Sequence, residues 1–362
     1  MPLALDLEAW LRLSLTLGLS GESFRRLLSA FGGPEPVLGA SRSALAAVVS
    51  GKVADAILDG RLHGELAAVE AWLADANNHV VTLADAEYPQ ALLHTADPPP
   101  LLYVKGRCEL LNQPAIAVVG SRNATAQGKL TSESFATALS NAGLCVVSGL
   151  ALGVDTAAHR GGLAGLSSTI AIVGTGLDKV YPARNRDLAH AIAEKGAILS
   201  EFALGTPPLA ANFPRRNRLI SGITRGCLVV EAALSSGSLI TARLSNELGK
   251  DVFAIPGSIH STLSKGCHVL IKQGAKLVDD VADILGELRL PVPASAGSKS
   301  DDGVASPAIH PLLAHMAYDP CDIDTLAGRA GLPVHEVSVA LIELELSGAV
   351  ASLAGGLWQR IS

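Results

Sequence analysis

The chain has 362 residues, of which 49% are hydrophobic and only 17% charged, so extensive disorder is excluded. At roughly 100–200 residues per domain, this length predicts two or three domains. Charges, glycines or prolines interrupt every apolar stretch before the roughly 20 residues that a membrane span needs. The opening residues, MPLALDLEAW, contain two acids and no basic group, which predicts no signal peptide and a cytoplasmic protein. Five widely spaced cysteines without a CxxC motif predict neither a disulfide framework nor a zinc site.

The net charge of −6 is distributed unevenly along the chain. Residues 281–362 carry 4 basic and 10 acidic side chains, whereas residues 179–226 carry 8 basic and 3 acidic ones. A local excess of positive charge can hold a polyanion even where the whole chain is acidic. The middle of the chain is therefore where a nucleic-acid partner would bind.

Residues 1–78 are predicted to form a small helical domain. Apolar residues recur there at spacings of three and four, and Ser20 and Ser41 are suited to cap the helices that follow them. Helical modules of this kind sometimes bind nucleic-acid backbones, but more often they pack or bind partner proteins. The net negative charge of this segment favours the second role.

Residues 79–289 show the pattern of an α/β domain. The short β-rich runs are AIAVVGS, LCVVSGL, TIAIVGT, AILSEF, CLVVEA, VFAIPG and AKLV, and most are separated by stretches with helical patterning. Such alternation predicts βαβ units and a Rossmann-like, doubly wound parallel sheet. Three consecutive prolines, Pro98 to Pro100, precede a further short strand predicted at 101–104.

The C-terminal part is predicted to be a linker followed by a winged-helix domain. Residues 290–307 have the Pro, Ser, Gly and Asp content of a flexible linker, and residues 308–362 read as three helices and two strands. Many winged helices bind duplex DNA through their third helix. Here that helix carries Glu336, Glu343 and Glu345 without any Lys or Arg, which favours contact with a protein.

The turn VVGSRNATAQG has the features of a phosphate-binding turn. Ligands of open parallel sheets bind beyond the carboxyl ends of the strands, which is where this turn lies. Gly120 permits a sharp bend, Ser121 and Arg122 offer donors, and a helix is predicted to begin near Thr125. The turn has neither the GxGxxG pattern of dinucleotide sites nor the Lys-Ser/Thr ending of a P-loop. Taken alone, it is equally compatible with an ordinary turn that bears a surface arginine.

The segment ANFPRRNRLISGITRG is the most informative one. It contains Phe213, Arg215, Arg216, Asn217, Arg218 and Arg225. An all-arginine cluster with an aromatic ring and amides suits backbone phosphates and stacked bases better than a solvated helix face. Since helical positions i and i+3 share a face, Arg215 and Arg218 are predicted to point the same way. Arg216 is predicted to point elsewhere, toward an acid such as Glu231.

The turn VVEAALSSGSLITAR offers a second set of anion donors. Ser236, Gly237 and Ser238 lead into a helix predicted to begin near Leu239, where free amides and hydroxyls suit an anion. Glu231 ends the preceding strand, where it could pair with an arginine or act as a catalytic carboxylate. Ion pairing is the favoured alternative.

A third polar turn, VVSGLALGVDTAAHRGGL, carries Asp155 and His159 one helical turn apart. An acid–base pair fits this spacing, but no Ser or Cys nucleophile accompanies it, so a capping role for Asp155 and a structural one for His159 are favoured. Taken together, the turns offer anion donors without a nucleophile, metal cluster or paired carboxylates. They predict a site that holds an extended phosphate chain, without cofactor or metal, rather than one that cleaves it.

From about Tyr88 to Leu285 the sequence closely resembles the DNA-processing protein A family (DprA, also called Smf). The resemblance rests on AVVGSRNAT, SGLALGVDTAAH, TIAIVGTGLDKVYPARN, LSEFALGTPPLAANFPRRNRLISG, VVEAALSSGSLITAR and VFAIPGS, in that order. It implies a Rossmann-like domain that binds and protects incoming single-stranded DNA during natural transformation and loads the RecA recombinase onto it. It also implies a homodimer without enzymatic activity, with single-strand-binding protein as a further candidate partner. The flanking segments resemble the sterile-alpha-motif-like and winged-helix domains of longer members.

The resemblance also implies which residues bind DNA. They are Gly120, Ser121 and Arg122 of the first turn, Phe213, Arg215, Arg216, Asn217 and Arg218 of the arginine-rich segment, Ser236, Gly237 and Ser238 of the last turn, and Lys265. The acidic third helix of the predicted winged helix makes a DNA-binding role for that domain doubtful.

Two alternatives remain at this level. One is a nucleotide-processing enzyme similar to the lysine-decarboxylase-like phosphoribohydrolases, which use a Pro-Gly-Gly-x-Gly-Thr turn with a nearby Glu. The corresponding turn here, SSGSLITA, lacks the double glycine. The other is a purely structural adaptor, which would have no need of the arginine cluster.

Overall fold

The computed structural model describes residues 3–60, 63–291, 310–353 and 355–361. The N-terminal part contains the helices α1 (Leu5–Ser14), α2 (Gly21–Phe31), α3 (Pro34–Leu38), α4 (Arg42–Ala46), α5 (Gly51–Asp59) and α6 (His63–Trp72). Most of the predicted linker, from residue 292 to residue 307, lies outside the described residues, so that prediction stays untested.

The middle of the chain alternates strands and helices. The strands are β1 (Asn78–Thr82), β2 (Leu101–Gly106), β3 (Ala115–Val119), β4 (Cys145–Ser148), β5 (Thr169–Ile172), β6 (Ala197–Ser200), β7 (Gly226–Val229), β8 (Asp251–Ala254) and β9 (Lys276–Leu277). The helices are α7 (Gln90–Leu93), α8 (Ala126–Asn141), α9 (Val154–Ala164), α10 (Arg186–Lys195), α11 (Asn212–Ile223), α12 (Ser238–Glu247), α13 (Lys265–Lys272) and α14 (Val281–Glu287), with 3-10 turns at Cys108–Asn112 and Ala183–Asn185.

These strands form one sheet in the order β1-β2-β6-β5-β4-β3-β7-β8-β9. Strands β3 to β9 are parallel, and β1 and β2 add an antiparallel edge next to β6. The predicted α/β, doubly wound fold is confirmed, although the sequence analysis missed β1. The strand order reverses between β3 and β7, so a crevice opens beyond their carboxyl ends, where sheets of this kind bind ligands.

Side chains alternate between two cores, one on each face of the sheet. In β3, Ala117 and Val119 face the core beneath α11 and α12, whereas Ile116 and Val118 face the core beneath α8, α9 and α14. All four are buried because helices cover both faces. Since the strands are anchored on both sides, the turns at their carboxyl ends leave from fixed positions.

The N-terminal helices have a core of their own, built around Trp10 and Phe24, whose rings stack at 5.7 Å. Ser20 and Ser41 accept hydrogen bonds from backbone amides of the following helices, as predicted. The helices attach to the rest of the protein through Arg25, which donates to the Asp97 carboxylate at 2.8 Å and to the Pro98 carbonyl at 2.7 Å. The helical part therefore packs against the sheet domain as well as on itself.

The C-terminal part is a winged helix, as predicted, but a 3-10 turn replaces the first of the three predicted helices and a short third strand joins the two predicted ones. Its elements are a 3-10 turn (Pro311–His315), β10 (Cys321–Asp322), α15 (Ile323–Ala330), α16 (Val334–Leu346), β11 (Val350–Leu353) and β12 (Leu357–Arg360). Asp322 caps α15, and the three strands form an antiparallel sheet in the order β10-β12-β11. Among all described residues, the longest helix is α8, and none combines the length and apolarity that a membrane span requires.

Candidate nucleic-acid interface

A cleft of about 690 Å³ lies beyond the carboxyl ends of β3 and β7. Its lining includes Gly120, Ser121, Arg122, Phe213, Arg216, Asn217, Ser236, Gly237 and Ser238. These are nine of the twelve residues that the sequence analysis assigns to DNA. The volume falls within the roughly 300–1,000 Å³ of typical ligand sites. The doubly wound sheet thus brings together two turns and the helix α11, which are far apart in sequence.

The β3 turn is held rigidly between β7 and α9. A Cβ atom at Gly120 would lie 2.6 Å from the Val154 side chain and 2.8 Å from the Glu231 carbonyl oxygen, so only glycine fits. The Ser121 amide donates to that Glu231 carbonyl at 2.7 Å, and the Ser121 carbonyl accepts from the Val154 amide at 3.1 Å. Arg122 therefore extends from a fixed backbone into the cleft, where it is exposed.

Glu231 fastens the same turn through its side chain. Its two carboxylate oxygens accept from the Thr125 amide at 2.9 Å and from the Thr125 hydroxyl at 2.6 Å. Thr125 in turn caps α8 by accepting from the Gly128 amide at 2.9 Å. The predicted pairing of Glu231 with an arginine is wrong, because a backbone donor and a hydroxyl from the adjacent turn occupy both oxygens.

Arg216 forms part of the cleft floor and is 5% exposed. Its Nη1 donates to the Ile172 carbonyl at 2.5 Å, while its buried Nε has no partner among the described residues. A side chain at Gly149 would overlap the guanidinium, so the loop after β4 must carry glycine there. The prediction that Arg216 turns toward Glu231 is wrong: it crosses the Gly149 backbone toward the end of β5. Burial lowers its pKa to about 10, so it stays charged at neutral pH.

Asp155 interacts electrostatically with this guanidinium and organises the β4 loop. Its carboxylate accepts from the Gly149 amide at 3.1 Å and from the Ala151 amide at 3.2 Å. The predicted capping role needs correction, because Gly153 is the N-cap of α9 and Asp155 lies inside its first turn. Burial raises the pKa of Asp155, and the charge of Arg216 acts in the opposite direction.

His159 has the structural role predicted for it. Its Nε2 accepts from the Leu150 amide at 3.2 Å, and its Nδ1 lies 2.8 Å from the Thr169 hydroxyl oxygen. That hydroxyl donates its own proton to the Val146 carbonyl, so the hydrogen bond to it comes from Nδ1–H of a neutral imidazole. Burial, with a smaller contribution from the charge of Arg216, lowers the His159 pKa to about 3. The histidine therefore supports the loop and does not face the cleft.

Aromatic rings form one side of the cleft. The Arg122 guanidinium lies 5.7 Å from the centre of the Phe213 ring, and the Tyr181 ring lies 5.7 Å from Phe213 at a tilt of 39°. Tyr181 is 47% exposed. Tyr181 was not among the residues predicted to bind DNA, although its position among Lys179, Arg184 and Arg186 was a usable signal.

Three predicted residues lie outside the cleft lining. Arg215 donates to the buried Glu201 carboxylate at 3.0 Å, and Arg218 donates to the same carboxylate and to the Asp97 carbonyl. Their predicted common face is confirmed, but it points to Glu201, an acid that the sequence analysis missed as a partner. Lys265 donates to the Ile259 carbonyl. Contacts of these three residues with DNA stay predictions that the cleft geometry does not support.

The third side of the cleft is the start of α12. The hydroxyl oxygens of Ser236 and Ser238 lie 2.7 Å apart, and the Ser238 amide donates to Ser236 at 3.3 Å. The positive end of the α12 dipole adds to the anion-binding character of these hydroxyls. In the described parts of the chain, no group of His, Cys, Asp and Glu side chains is placed to hold a metal ion.

The family model for DNA recombination-mediator protein A matches residues 79–289, and the model for the DprA winged helix domain matches residues 294–356. The chain belongs to the DNA recombination-mediator protein A family. Among relatives, Protein Smf of Escherichia coli (strain K12) is 43% identical over 292 residues, which are 79% of this chain and 78% of the relative. DNA processing protein DprA of Streptococcus pneumoniae is 48% identical over 206 residues, 57% of this chain and 73% of the relative.

Two solved structures of family members resemble this fold. The X-ray structure of DNA processing protein A from Streptococcus pneumoniae has a TM-score of 0.69 and 37% identity, covering 79% of this chain and 99% of that one. A structure of DNA processing protein A from Helicobacter pylori has a TM-score of 0.53 and 32% identity, covering 58% of this chain and 96% of that one. That study concerns the single-stranded DNA binding mode of the Helicobacter protein. The resemblance to the DNA-processing protein A family is thus confirmed.

Proposed function

We propose that this family member binds single-stranded DNA in the cleft, protects it during natural transformation and delivers it to the RecA recombinase. The observation that carries the proposal is Arg216, a charged side chain that lines the cleft floor and makes, among the described residues, a single side-chain hydrogen bond, from Nη1 to the Ile172 carbonyl. A guanidinium has five N–H donors, and a phosphate in the cleft is an acceptor of matching charge and geometry for those that face it. The single-stranded DNA binding of the Helicobacter relative supports the same ligand.

The cleft wall favours single strands over duplexes. Arg122 can contact phosphates while the exposed Tyr181 ring, beside Phe213, is available to bases, and only an unpaired strand can turn its bases toward these rings. Base stacking on aromatic rings is tolerant of sequence, which suits a protein that takes any incoming strand.

We also propose that the protein acts as a homodimer and meets RecA, with single-strand-binding protein as a further partner, on the strength of the family resemblance. The winged helix supports a role in protein contact. The exposed face of α16 carries Val339, Ile342 and Leu346 beside Glu336 and Glu343. Apolar groups among carboxylates are unsuited to a DNA backbone and suited to a protein surface.

The proposed function is tested by equilibrium binding of oligo-dT and a matched duplex over a range of salt concentrations. We expect tighter binding of oligo-dT, and a fall of about 0.7 log units in affinity per log unit of salt for each phosphate neutralised. Arg122→Ala should reduce the affinity at least tenfold, since one charge-assisted contact contributes about 1.5–3 kcal/mol. Arg42→Ala, which breaks an exposed pair with Asp55, is the control that should leave it unchanged. Equal or tighter binding of the duplex would refute the proposal.

We propose further that the cleft has no hydrolytic activity, because the carboxylates nearest to it are engaged, Glu231 by Thr125 and Asp155 by the Gly149 and Ala151 amides. Glu231→Gln would place an amide NH2 against one of the two Thr125 donors. We expect a loss of about 1–3 kcal/mol of unfolding free energy and weaker oligo-dT binding. Glu247→Gln, on the exposed surface of α12, is the matched control.

The same pair of variants separates the binding protein from the nucleotide-processing enzyme. We expect no release of base from nucleoside monophosphates by the wild-type protein. Turnover by wild type and by Glu247→Gln that disappears in a folded Glu231→Gln protein would establish the enzyme instead.

A further inference from the structure

A second cavity of about 500 Å³ adjoins the cleft on the far side of Tyr181. It lies between the end of α6, the segment 177–183 and the inner face of α10. Its volume is again within the roughly 300–1,000 Å³ typical of ligand sites. None of the residues that the family resemblance assigns to DNA lines it.

The interior of the second cavity is apolar and includes an aromatic ring. Val173, Ile198 and Ala189 are buried and form its floor together with Leu150. Trp72, the last residue of α6, forms one wall and is held by an edge-to-face contact with the buried Tyr103 ring at 5.9 Å. A flat, weakly polar ring system is the ligand that such a surface accommodates.

The rim of the second cavity is cationic. The side chain of Arg186 is exposed and makes neither a hydrogen bond nor an ion pair with any residue that the structure describes. Lys179 is anchored to the Gly205 carbonyl, and Lys105 is paired with Asp75, so Arg186 is the cation most available to a ligand. The one acid of the lining, Asp178, accepts from the Gly205 amide at 2.8 Å. An apolar interior beneath a free guanidinium suits a base attached to a phosphate.

Tyr181 connects the two cavities, since its ring lines both. The ring is 47% exposed and lies 5.7 Å from Phe213 inside the first cleft. A strand that leaves the cleft over Phe213 and Tyr181 therefore arrives at the mouth of the second cavity.

We propose that the second cavity receives a base of the same DNA strand, with Arg186 on the adjoining phosphate. This inference rests on the proposed function and extends it, because Trp72 makes the N-terminal helical domain part of the DNA site. The helical domain thereby lengthens the strand that each protomer holds.

The inference is tested with oligo-dT strands of increasing length, from about 4 to about 16 nucleotides. The wild-type affinity should rise in a step once the strand reaches the second cavity. Arg186→Ala should reduce that step about tenfold while the shortest strands that bind keep their affinity. Arg184→Ala removes another exposed arginine of the same segment, one that lines neither cavity, and should keep the full step.

A single abasic site, moved along the longest strand, identifies the base. We expect one position in the outer part of the strand at which the abasic site weakens wild-type binding, and no such effect there in Trp72→Ala. Trp72→Phe keeps an aromatic ring in the cavity wall and should restore most of the loss of affinity at that abasic position. It is the control for misfolding of the alanine variant. A step unchanged in both Arg186→Ala and Trp72→Ala would refute the second cavity while leaving the first cleft intact. Failure of wild type to bind any strand would refute the proposed function itself.

Discussion

Arg216→Met is expected to weaken oligo-dT binding by about a hundredfold, the largest effect of any single substitution in the cleft. Arg216 offers a phosphate the part of its guanidinium that lines the cleft, from a position with almost no access to water. Charge-assisted hydrogen bonds contribute about 1.5–3 kcal/mol each, so the loss of one strong contact together with the buried charge amounts to about two decades of affinity. Fluorescence anisotropy with labelled oligo-dT at a fixed salt concentration measures this loss of affinity.

Removing Arg216 leaves the buried Asp155 without its nearby positive charge, which can destabilise the fold. The controls must therefore distinguish the loss of a DNA contact from the loss of folded protein. Asp155→Asn removes the acid alone and should bind oligo-dT nearly as well as wild type. The double variant Arg216→Met/Asp155→Asn removes both charges and should recover stability without recovering affinity. Arg216→Lys retains the charge but not the planar guanidinium. Its affinity for oligo-dT should therefore lie between that of the wild-type protein and that of Arg216→Met.

Gly149→Ala provides an independent route to the same result. Its methyl group would overlap the guanidinium, so it should displace Arg216 and weaken binding although no charge is removed. Folded Arg216→Met and Gly149→Ala proteins that both bind like wild type would show that Arg216 is not a DNA contact.

The orientation of Arg216 could not be predicted from the sequence. Helical periodicity correctly placed Arg215 and Arg218 on one face, because that relation depends only on the geometry of α11. Which face meets the cleft depends on Glu201 and Gly149, which come from other strands and leave no local pattern. The cleft face of α11 is instead formed by Phe213, Arg216 and Asn217.

The strands and helices of the fold were predictable because each has a signal in its own stretch of sequence. Each strand of the parallel sheet is a short buried run with its own signal, and Thr125 caps α8 near the predicted position. The hydrogen bonds between Glu231 and Thr125 join residues 106 positions apart in the sequence. They form only because β3 and β7 are neighbours in the sheet. Trp72 in the second cavity likewise depends on how the helical domain meets the sheet.

Acid is expected to destabilise the protein through His159. His159 is fully buried and neutral, with a pKa of about 3 in the folded protein against about 6.5 in the unfolded chain. Below pH 6.5 the unfolded chain therefore binds a proton that the folded protein does not, so the stability is complete above pH 6.5 and is lost as the pH falls toward 3. The loss between pH 7 and pH 5 is about 2 kcal/mol of unfolding free energy.

Urea unfolding of wild type and His159→Gln at a series of pH values isolates this contribution, because the other nine histidines are common to both proteins. Glutamine can still accept from the Leu150 amide but does not titrate, so the variant should be less stable at pH 7 and its profile flatter by about 2 kcal/mol between pH 7 and pH 5. Parallel profiles would show that His159 gains a proton within the fold. Since His159 stays neutral in the folded protein over this range, we expect the Leu150 amide contact to persist and His159 to add no pH dependence to oligo-dT affinity between pH 7 and pH 5.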